Sequence, residues 1–152
     1  MKLEIKHLSA YLPYGLKVKW GADTANLVGL VRDAVILNGE FWMSSQKTSI
    51  DNIKPILRPL SDLTKEIEVN GEKFVPSKEF EKLYLNDCKW GNNSIGFGII
   101  GKSGFMTNLC FMNNEIIGEC PLAIYELLIK WHFDIFGLLD ANLAIDINSL
   151  NK

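Results

Sequence analysis

The segment 121–136, PLAIYELLIKWHFDIF, constrains the fold most, because it is the longest apolar stretch with helical spacing. Glu126, Lys130 and Asp134 recur every four residues and form one narrow polar stripe, whereas apolar and aromatic side chains cover the other directions. A proline suits the first turn of a helix, and Gly137 suits its end. The pattern predicts a mostly buried C-terminal helix against which the rest of the chain folds.

Length and composition indicate one globular domain over residues 1–152. The chain has 152 residues, of which 47% are hydrophobic and 22% charged, enough apolar material for a real core. The formal net charge of −2 makes a nucleic-acid partner unlikely as a whole-chain property, although it leaves room for a local basic patch.

Cysteine usage and hydropathy predict a cytoplasmic protein with reduced thiols. Cys88, Cys110 and Cys120 form no CxxC pattern, and their odd number does not suggest a disulfide framework. Residues 1–10 contain charges and lack the continuous apolar core of a signal peptide. The sequence contains no run of about 18 apolar residues, so no membrane span is predicted.

Asparagine-rich turns predict a succession of β-hairpins. Asn38-Gly39, Asn70-Gly71 and Asn113-Asn114 each separate two short apolar stretches, and Asn-Gly is the strongest short-range hairpin signal because both turn residues must take positive φ. With strands over 16–20 and 26–31, the first of these turns predicts a meander of three or four strands in the first 45 residues. Lys17 and Lys19 are expected to face water.

The remaining segments predict connections and one short additional helix. Two prolines disfavour a helix over 50–67, which we expect to be extended, with Ser61-Asp62 capping a short turn. Ser77 suits the N-cap of a helix over 78–85. The polar segments 44–49 and 86–94 are expected to be loops, and 144–147 a strand. The predicted class is α+β, with antiparallel hairpins packed against the C-terminal helix.

The segment from Gly96 to Ser103 matches the phosphate-binding pattern GxxxxGK[ST]. In a true P-loop, Lys102 would reach the β- and γ-phosphates and Ser103 would bind magnesium. However, the match follows a polar segment rather than a buried strand, and the residues after it favour a strand rather than a helix. A glycine-rich β-structure is therefore the favoured interpretation of these residues.

Other residue types that carry chemistry do not form a convincing site in the sequence. His132 lies on the apolar side of the predicted helix, where a core histidine is commoner than a general base. A zinc site from Cys110, Cys120 and His132 has spacings of no standard finger or ribbon. We predict no catalytic, cofactor-binding or metal-ligating residue and no cofactor.

Two charged features leave their roles open at this point. Asp134, Asp140 and Asp146 form a loose acidic group for which a solvated edge is the favoured interpretation. Arg58 lies between two prolines, where it can pair with this acidic group or contact a partner. The sequence does not decide between these two roles.

Three segments carry a resemblance: YLPYGLKV at 11–18, IKPILRPLSDLTKEI at 53–67 and KWHFDIFGLLDANLAIDINSL at 130–150. In them the chain resembles uncharacterised small proteins encoded by bacteriophages, prophages and mobile elements of Bacteroides and related gut bacteria. The Gly96–Ser103 match is not a feature associated with that group. The resemblance implies a mobile-element origin and the bacterial cytoplasm, and it transfers no catalytic residue.

These observations predict a non-enzymatic accessory protein that binds another protein, such as a host factor or a virion or replication component. The alternative is a small enzyme or a ligand- or nucleotide-binding protein that uses His132 or the Gly96–Ser103 segment. The sequence leaves homo-oligomer formation open, together with the identity of the partner.

Overall fold

A computed structural model of the chain describes residues 1–39, 43–83, 89–93, 96–100, 106–112, 115–116 and 122–150. Side chains are described at 1–39, 43–80, 82 and 122–150. The described residues form twelve strands, three α-helices and four 3-10 helices, which confirms the α+β class. Within them, no helix is long and apolar enough to cross a membrane.

The chain divides into two compact units, the first comprising 1–58 with 129–152 and the second 59–128. The first unit contains a six-stranded sheet of order β12-β5-β1-β2-β3-β4, in which only the β12–β5 pair is parallel. Its strands are β1 Lys17–Trp20, β2 Asp23–Val31, β3 Ala34–Asn38, β4 Gln46–Ser49, β5 Ile53–Leu57 and β12 Ile145–Asp146. The predicted meander is thus confirmed for β1, β2 and β3.

A short helical segment precedes this sheet and supplies part of the core. Helix α1 covers Ile5–Ser9, and a 3-10 helix covers Leu12–Tyr14. Gly15 ends the 3-10 helix with a φ of 69°, a left-handed conformation that glycine adopts without a steric cost. Tyr11 and Leu16 on either side of it are fully buried.

The two Asn-Gly turns have different outcomes. Asn70 and Gly71 have φ values of 53° and 85°, and they join β6 Ile67–Val69 to β7 Glu72–Phe74 as predicted. Leu37 of β3 pairs with Gln46 instead of a residue directly after Asn38-Gly39. The tight hairpin at Asn38-Gly39 is therefore wrong; residues 40–42 lie outside the described part of the chain.

The partner of β3 is the segment that the sequence analysis assigned to a loop. Gln46–Ser49 forms β4, because its backbone pairs with β3 over four registered positions from Leu37–Gln46 to Ala34–Ser49. The strand is an edge strand of polar residues, which carry little apolar periodicity. Polar residues on an edge strand limit its pairing with other chains, so this composition suits the position of β4. The same composition lacks the apolar alternation from which a strand is predicted.

The second unit contains the β6–β7 hairpin and a four-stranded antiparallel sheet of order β11-β10-β9-β8. Helix α2 covers Pro76–Leu83 and begins two residues before the predicted start, so Ser77 is not its N-cap. The sheet strands are β8 Lys89–Asn93, β9 Gly96–Ile100, β10 Met106–Met112 and β11 Glu115–Ile116. The predicted loop over 86–94 is therefore wrong at β8, whereas the predicted strand-rich character of 95–117 is confirmed.

The segment 50–67 is extended only in part. A 3-10 helix covers Ile50–Asn52, against the prediction, whereas strand β5 over Ile53–Leu57 has the predicted extended backbone. The apolar residues Ile53, Ile56, Leu57 and Leu60 of the segment are all buried. A 3-10 helix covers Leu60–Thr64, and its N-cap position is Pro59 rather than Ser61-Asp62.

The predicted helix over 121–136 is shorter than its apolar pattern. Helix α3 covers Leu122–Lys130, with Glu126 and Lys130 exposed. Asp134, the third member of the predicted stripe, is buried and only 5% exposed. Packing of the hairpins against this helix stays a prediction.

The helix ends because tertiary hydrogen bonds compete with it. Arg58 N–H donates to the His132 carbonyl, and Asp134 N–H donates to the Arg58 carbonyl, both at 2.8 Å. These bonds place Arg58 and Phe133 in a parallel β-bridge and hold His132 at a φ of 60°. A residue with positive φ cannot continue a right-handed helix.

Candidate functional site

The outer face of the six-stranded sheet carries four lysines. Side chains alternate between the two faces of a strand, so buried Val18 on β1 places Lys17 and Lys19 on the opposite side. The registered pairs Lys19–Lys54 and Ile36–Lys47 place one lysine of β5 and one of β4 on the same side. We call the outer surface defined by Lys17, Lys19, Lys47 and Lys54 the outer lysine face.

Lys19 and Lys54 lie directly opposite each other on adjacent antiparallel strands. Cross-strand partners have Cβ atoms about 5 Å apart, and like charges in this position destabilise a sheet. Lys17 lies two residues before Lys19 on the same strand and face, which places a third lysine beside this pair. The fold tolerates an electrostatic cost here that an anion would remove.

Carboxylates do not compensate this charge within the part of the chain that the structure describes. There, none of the four lysines lies within 4.0 Å of a carboxylate oxygen, whereas Lys2, Lys6, Lys65, Lys73 and Lys82 each do. Strand register gives the other described outer positions of β2, β3 and β4, none of which is acidic: Thr24, Asn26, Gly29, Val31, Ala34, Ile36, Asn38 and Ser49.

Apolar groups lie beside the lysines on β2 and β3. Val31 is 42% exposed, and Val28, at the bulge between Leu27 and Gly29, is 48% exposed. Ile36 covers Gly29, where an added Cβ would lie 3.2 Å from the Ile36 Cδ1 atom. The face thus combines positive charge with exposed branched aliphatic groups, a mixture suited to a protein surface of opposite charge.

Neutral acceptors position two of the lysine side chains. Lys19 Nζ donates to the Ala22 carbonyl in the β1–β2 turn, and Lys54 Nζ donates to Asn142 Oδ1 at 3.3 Å. An ammonium group has three N–H donors, so these bonds use one donor each. Both side chains are half-buried, held in place, and retain donors for an anion.

His132 lies in a different chemical setting from the one predicted. It follows helix α3 rather than lying on its apolar side, and its Nε2 lies 3.0 Å from the Tyr14 carbonyl. Because a carbonyl only accepts, this contact assigns the proton to Nε2. Partial burial lowers the pKa of His132; the Tyr14 hydrogen bond opposes this, and nearby Arg58 and Lys17 reinforce it. The imidazole is therefore neutral near pH 7, and its role here is the structural hydrogen bond to Tyr14.

The acidic group predicted near the C-terminus does not form one solvated edge. Asp134 is buried, and its two oxygens accept from the backbone N–H groups of Phe136, Leu138 and Leu139 at 3.2, 3.0 and 2.7 Å. Asp146 accepts from Asn148 N–H at the start of a 3-10 helix, Ile147–Ser149. Only Asp140 of the three is exposed as the prediction requires.

The Gly96–Ser103 match does not have P-loop geometry in the part that the structure describes. Gly96–Ile100 is strand β9, which pairs antiparallel with β8 on one side and β10 on the other. Amides within a sheet ladder are not free to surround a phosphate, so the predicted glycine-rich β-structure is confirmed for these five residues. Lys102 and Ser103 lie outside the described residues.

Metal binding finds no support among the side chains that the structure describes. There, no three His, Cys, Asp or Glu residues lie together in a way that could hold a metal ion. Cys88 and Cys120 lie outside the described residues, and the side chain of Cys110 is not described. The zinc interpretation of Cys110, Cys120 and His132 therefore stays untested.

Sequence patterns indicated only half of the outer lysine face. The alternation in 16–20 predicted that Lys17 and Lys19 face water, and both predictions agree with the observed strand. Lys47 and Lys54 were missed because one lies in a polar edge strand and the other beside Pro55. Strand register, which the sequence does not reveal here, brings the four together.

Comparisons of the chain with protein-family models, curated proteins and solved structures found no match.

Proposed function

We propose that this protein is an accessory protein of phage or mobile-element origin that binds an acidic protein partner through the outer lysine face. The observation that carries the proposal is the Lys19–Lys54 pair, two lysines in registered positions of adjacent strands, neither of which has a carboxylate within salt-bridge distance in the described residues. An acidic partner would convert the repulsion between these like charges into attraction and raise the rate of association.

Charge and side-chain type favour a protein over a nucleic acid as the partner. The chain has a net charge of −2, so it is not basic overall, and the four lysines are a local group on this face. Proteins that bind single strands usually present aromatic side chains on which bases stack. The described outer positions of β1 to β4 contain no aromatic residue, whereas Val28 and Val31 offer apolar contact.

The resemblance of 11–18, 53–67 and 130–150 to phage and mobile-element proteins supports the same proposal. The first two segments include Lys17 and Lys54 of the face. The alternative of a small enzyme or nucleotide-binding protein loses support because Gly96–Ile100 is a paired strand and the His132 imidazole is hydrogen-bonded to Tyr14. Homo-oligomer formation through the face is disfavoured by like charge.

Affinity capture with matched variants tests this proposal. The tagged protein is incubated with Bacteroides lysate, with and without nuclease treatment, and, separately, with labelled poly-L-glutamate as a defined acidic polypeptide. One variant replaces Lys17, Lys19, Lys47 and Lys54 with glutamine. A control variant makes the same charge change at Lys6, Lys73, Lys82 and Lys130, which are exposed and lie elsewhere.

We expect the wild type and the control to capture the same acidic protein and to bind polyglutamate, with binding that weakens as salt rises. The outer-face variant should lose both. Equal capture by the two variants would overturn the proposal, as would a captured species that disappears after nuclease treatment. Circular dichroism of each variant establishes that the fold is retained.

A further inference from the structure

A cleft of 340 Å³ opens at one end of the outer lysine face, within the first unit. Its polar lining includes Lys2, Lys19 and Lys54. Its floor includes Ile50 and Ile53, which are 5% and 4% exposed. The volume lies at the lower end of the range for small-molecule sites.

The charges around the cleft favour an anion. Three ammonium groups meet one carboxylate, that of Asp51, whose Oδ1 lies 3.3 Å from Lys2 Nζ. This ion pair leaves Lys19 and Lys54 without a carboxylate partner among the described residues. Their contacts to Ala22 O and Asn142 Oδ1 use one donor each, which leaves two donors on each ammonium group.

The floor of the cleft favours an apolar body beside the anionic group. Ile50, Ile53 and Leu3 are core residues whose exposed edges line the cleft, and Leu143 adds a fourth apolar wall. An inorganic ion would leave this surface in contact with water. A ligand with a compact ring would remove it from water and gain about 25 cal/mol per Å².

We propose that this cleft binds a small amphiphilic anion, namely a phosphate monoester or carboxylate that carries one ring-sized apolar group. The anionic oxygens bind Lys19 and Lys54, and the apolar group lies on Ile50 and Ile53. This site goes beyond the proposed partner surface but shares two of its lysines. A ligand in the cleft therefore competes with an acidic partner.

Titration with phenyl phosphate, observed in two-dimensional amide NMR spectra, tests the site without any partner present. Phenol supplies the same ring without charge, and inorganic phosphate supplies the charge without the ring. We expect saturable shifts at Gly21, Asn52 and Leu143 with phenyl phosphate, weaker binding of phosphate, and no saturable shift with phenol.

Two double variants separate the cleft from the rest of the face. Lys2→Gln with Lys54→Gln removes two cleft cations, whereas Lys17→Gln with Lys47→Gln removes two cations of the face outside the cleft lining. We expect the first pair to weaken phenyl phosphate binding about tenfold or more, as loss of charged hydrogen bonds predicts. The second pair should change it less than about twofold, because neither Lys17 nor Lys47 lines the cleft and exposed charges outside it are partly screened by salt.

Shifts that do not saturate by about 10 mM phenyl phosphate, tenfold above a 1 mM dissociation constant, would overturn the site. Equal weakening by the two double variants would also overturn it, because that result indicates diffuse charge attraction. The proposed partner surface is judged separately by polyglutamate binding. Loss of that binding with intact phenyl phosphate binding, or the reverse, shows which of the two proposals fails.

Discussion

Asp134 and the outer lysine face lie in the same compact unit, but they use their charges in opposite ways. The Asp134 carboxylate is 5% exposed and accepts hydrogen bonds from three backbone N–H groups of the segment that follows it. Lys19 and Lys54 are half-buried, occupy registered positions of adjacent strands, and have no carboxylate within salt-bridge distance in the described residues.

This difference separates a structural charge from one that is available for binding. A buried charge is tolerated only when the fold satisfies it, so Asp134 contributes to stability and has little capacity left for a ligand. Lys19 and Lys54 are instead like charges in registered positions, and their described hydrogen bonds go to neutral acceptors, so their charge itself does not stabilise the fold. Their place in the fold is better explained by an anion that binds there.

The largest expected effect is that of Asp134→Ala. The substitution leaves the N–H groups of Phe136, Leu138 and Leu139 without their acceptor, and we expect a loss of about 3 kcal/mol or more in the free energy of unfolding. Asp134→Asn keeps one acceptor oxygen and should give an intermediate loss. Urea denaturation measures both, with exposed Asp140→Ala as the control that changes stability little.

A loss below about 1 kcal/mol for Asp134→Ala would contradict the structural role, because water would then be replacing the carboxylate. Asp134 could then no longer be contrasted with the lysines as a charge that the fold requires. The intermediate value for Asp134→Asn guards against a result that comes only from the size of the side chain.

Tyr11→Phe should give the next largest effect. The Tyr11 hydroxyl is buried and donates to the Phe133 carbonyl at 2.7 Å, so the variant leaves a buried carbonyl without this donor. We expect a loss of about 1 to 2 kcal/mol in the free energy of unfolding. Tyr14→Phe, at a tyrosine that is 39% exposed, is the matched control and should change stability little. Equal effects of the two variants would contradict the prediction.

Short-range sequence patterns predict a turn correctly where the two strands follow each other directly, and they fail where a strand pairs with a more distant segment. Asn70-Gly71 is a tight hairpin because adjacent residues supply both its turn and its strands. Asn38-Gly39 has the same letters, but β3 pairs with a strand that begins at Gln46. The pairing partner, which lies beyond the local window, decides the outcome.

The end of helix α3 teaches the same lesson for charge. Asp134 fits the polar stripe of a helix over 121–136, and the pattern alone gives no reason to place it elsewhere. The bridge joins Arg58 to Phe133, which are 75 positions apart in sequence. It ends the helical path of the chain before Asp134. A short polar side chain that hydrogen-bonds to nearby backbone N–H groups is a poor helix former, and here that preference prevails.

Acid should destabilise the protein through its two histidines. Burial lowers the pKa of His7, with Lys6 also lowering it, and burial likewise lowers the pKa of His132. Below the unfolded value of 6.5, the unfolded chain binds more protons than the folded one. Stability is therefore complete above this pH and falls as the pH drops from there toward the folded pKa values.

Thermal melts at pH 7.5, 6.5 and 5.5 check this direction. We expect a lower melting temperature at pH 5.5 than at pH 7.5, and a smaller difference in His132→Gln and His7→Gln. Carboxylates titrate mostly below this window, so they contribute little to the slope. A melting temperature that rises on acidification would contradict the lowered pKa of both histidines.

The smallest expected effect is a gain in the free energy of unfolding rather than a loss. It tests whether the lysines differ from Asp134 in their role. Lys54→Gln removes one charge of the registered cross-strand pair Lys19–Lys54 and keeps a side chain that can contact Asn142. Like charges opposite each other in a sheet cost about 0.2 to 1 kcal/mol, so the variant should be more stable than the wild type by a few tenths of a kcal/mol. The gain should shrink in 1 M salt, because salt screens exposed charges.

Stability and binding must then change in opposite directions in this single variant. Lys54→Gln should melt at a higher temperature while it binds polyglutamate and phenyl phosphate more weakly. A structural lysine would give the reverse order, with stability lost and binding unaffected. Loss of stability in Lys54→Gln at low salt would place Lys54 with Asp134 among the charges that the fold requires, and would remove the argument that the outer lysine face is kept for a partner.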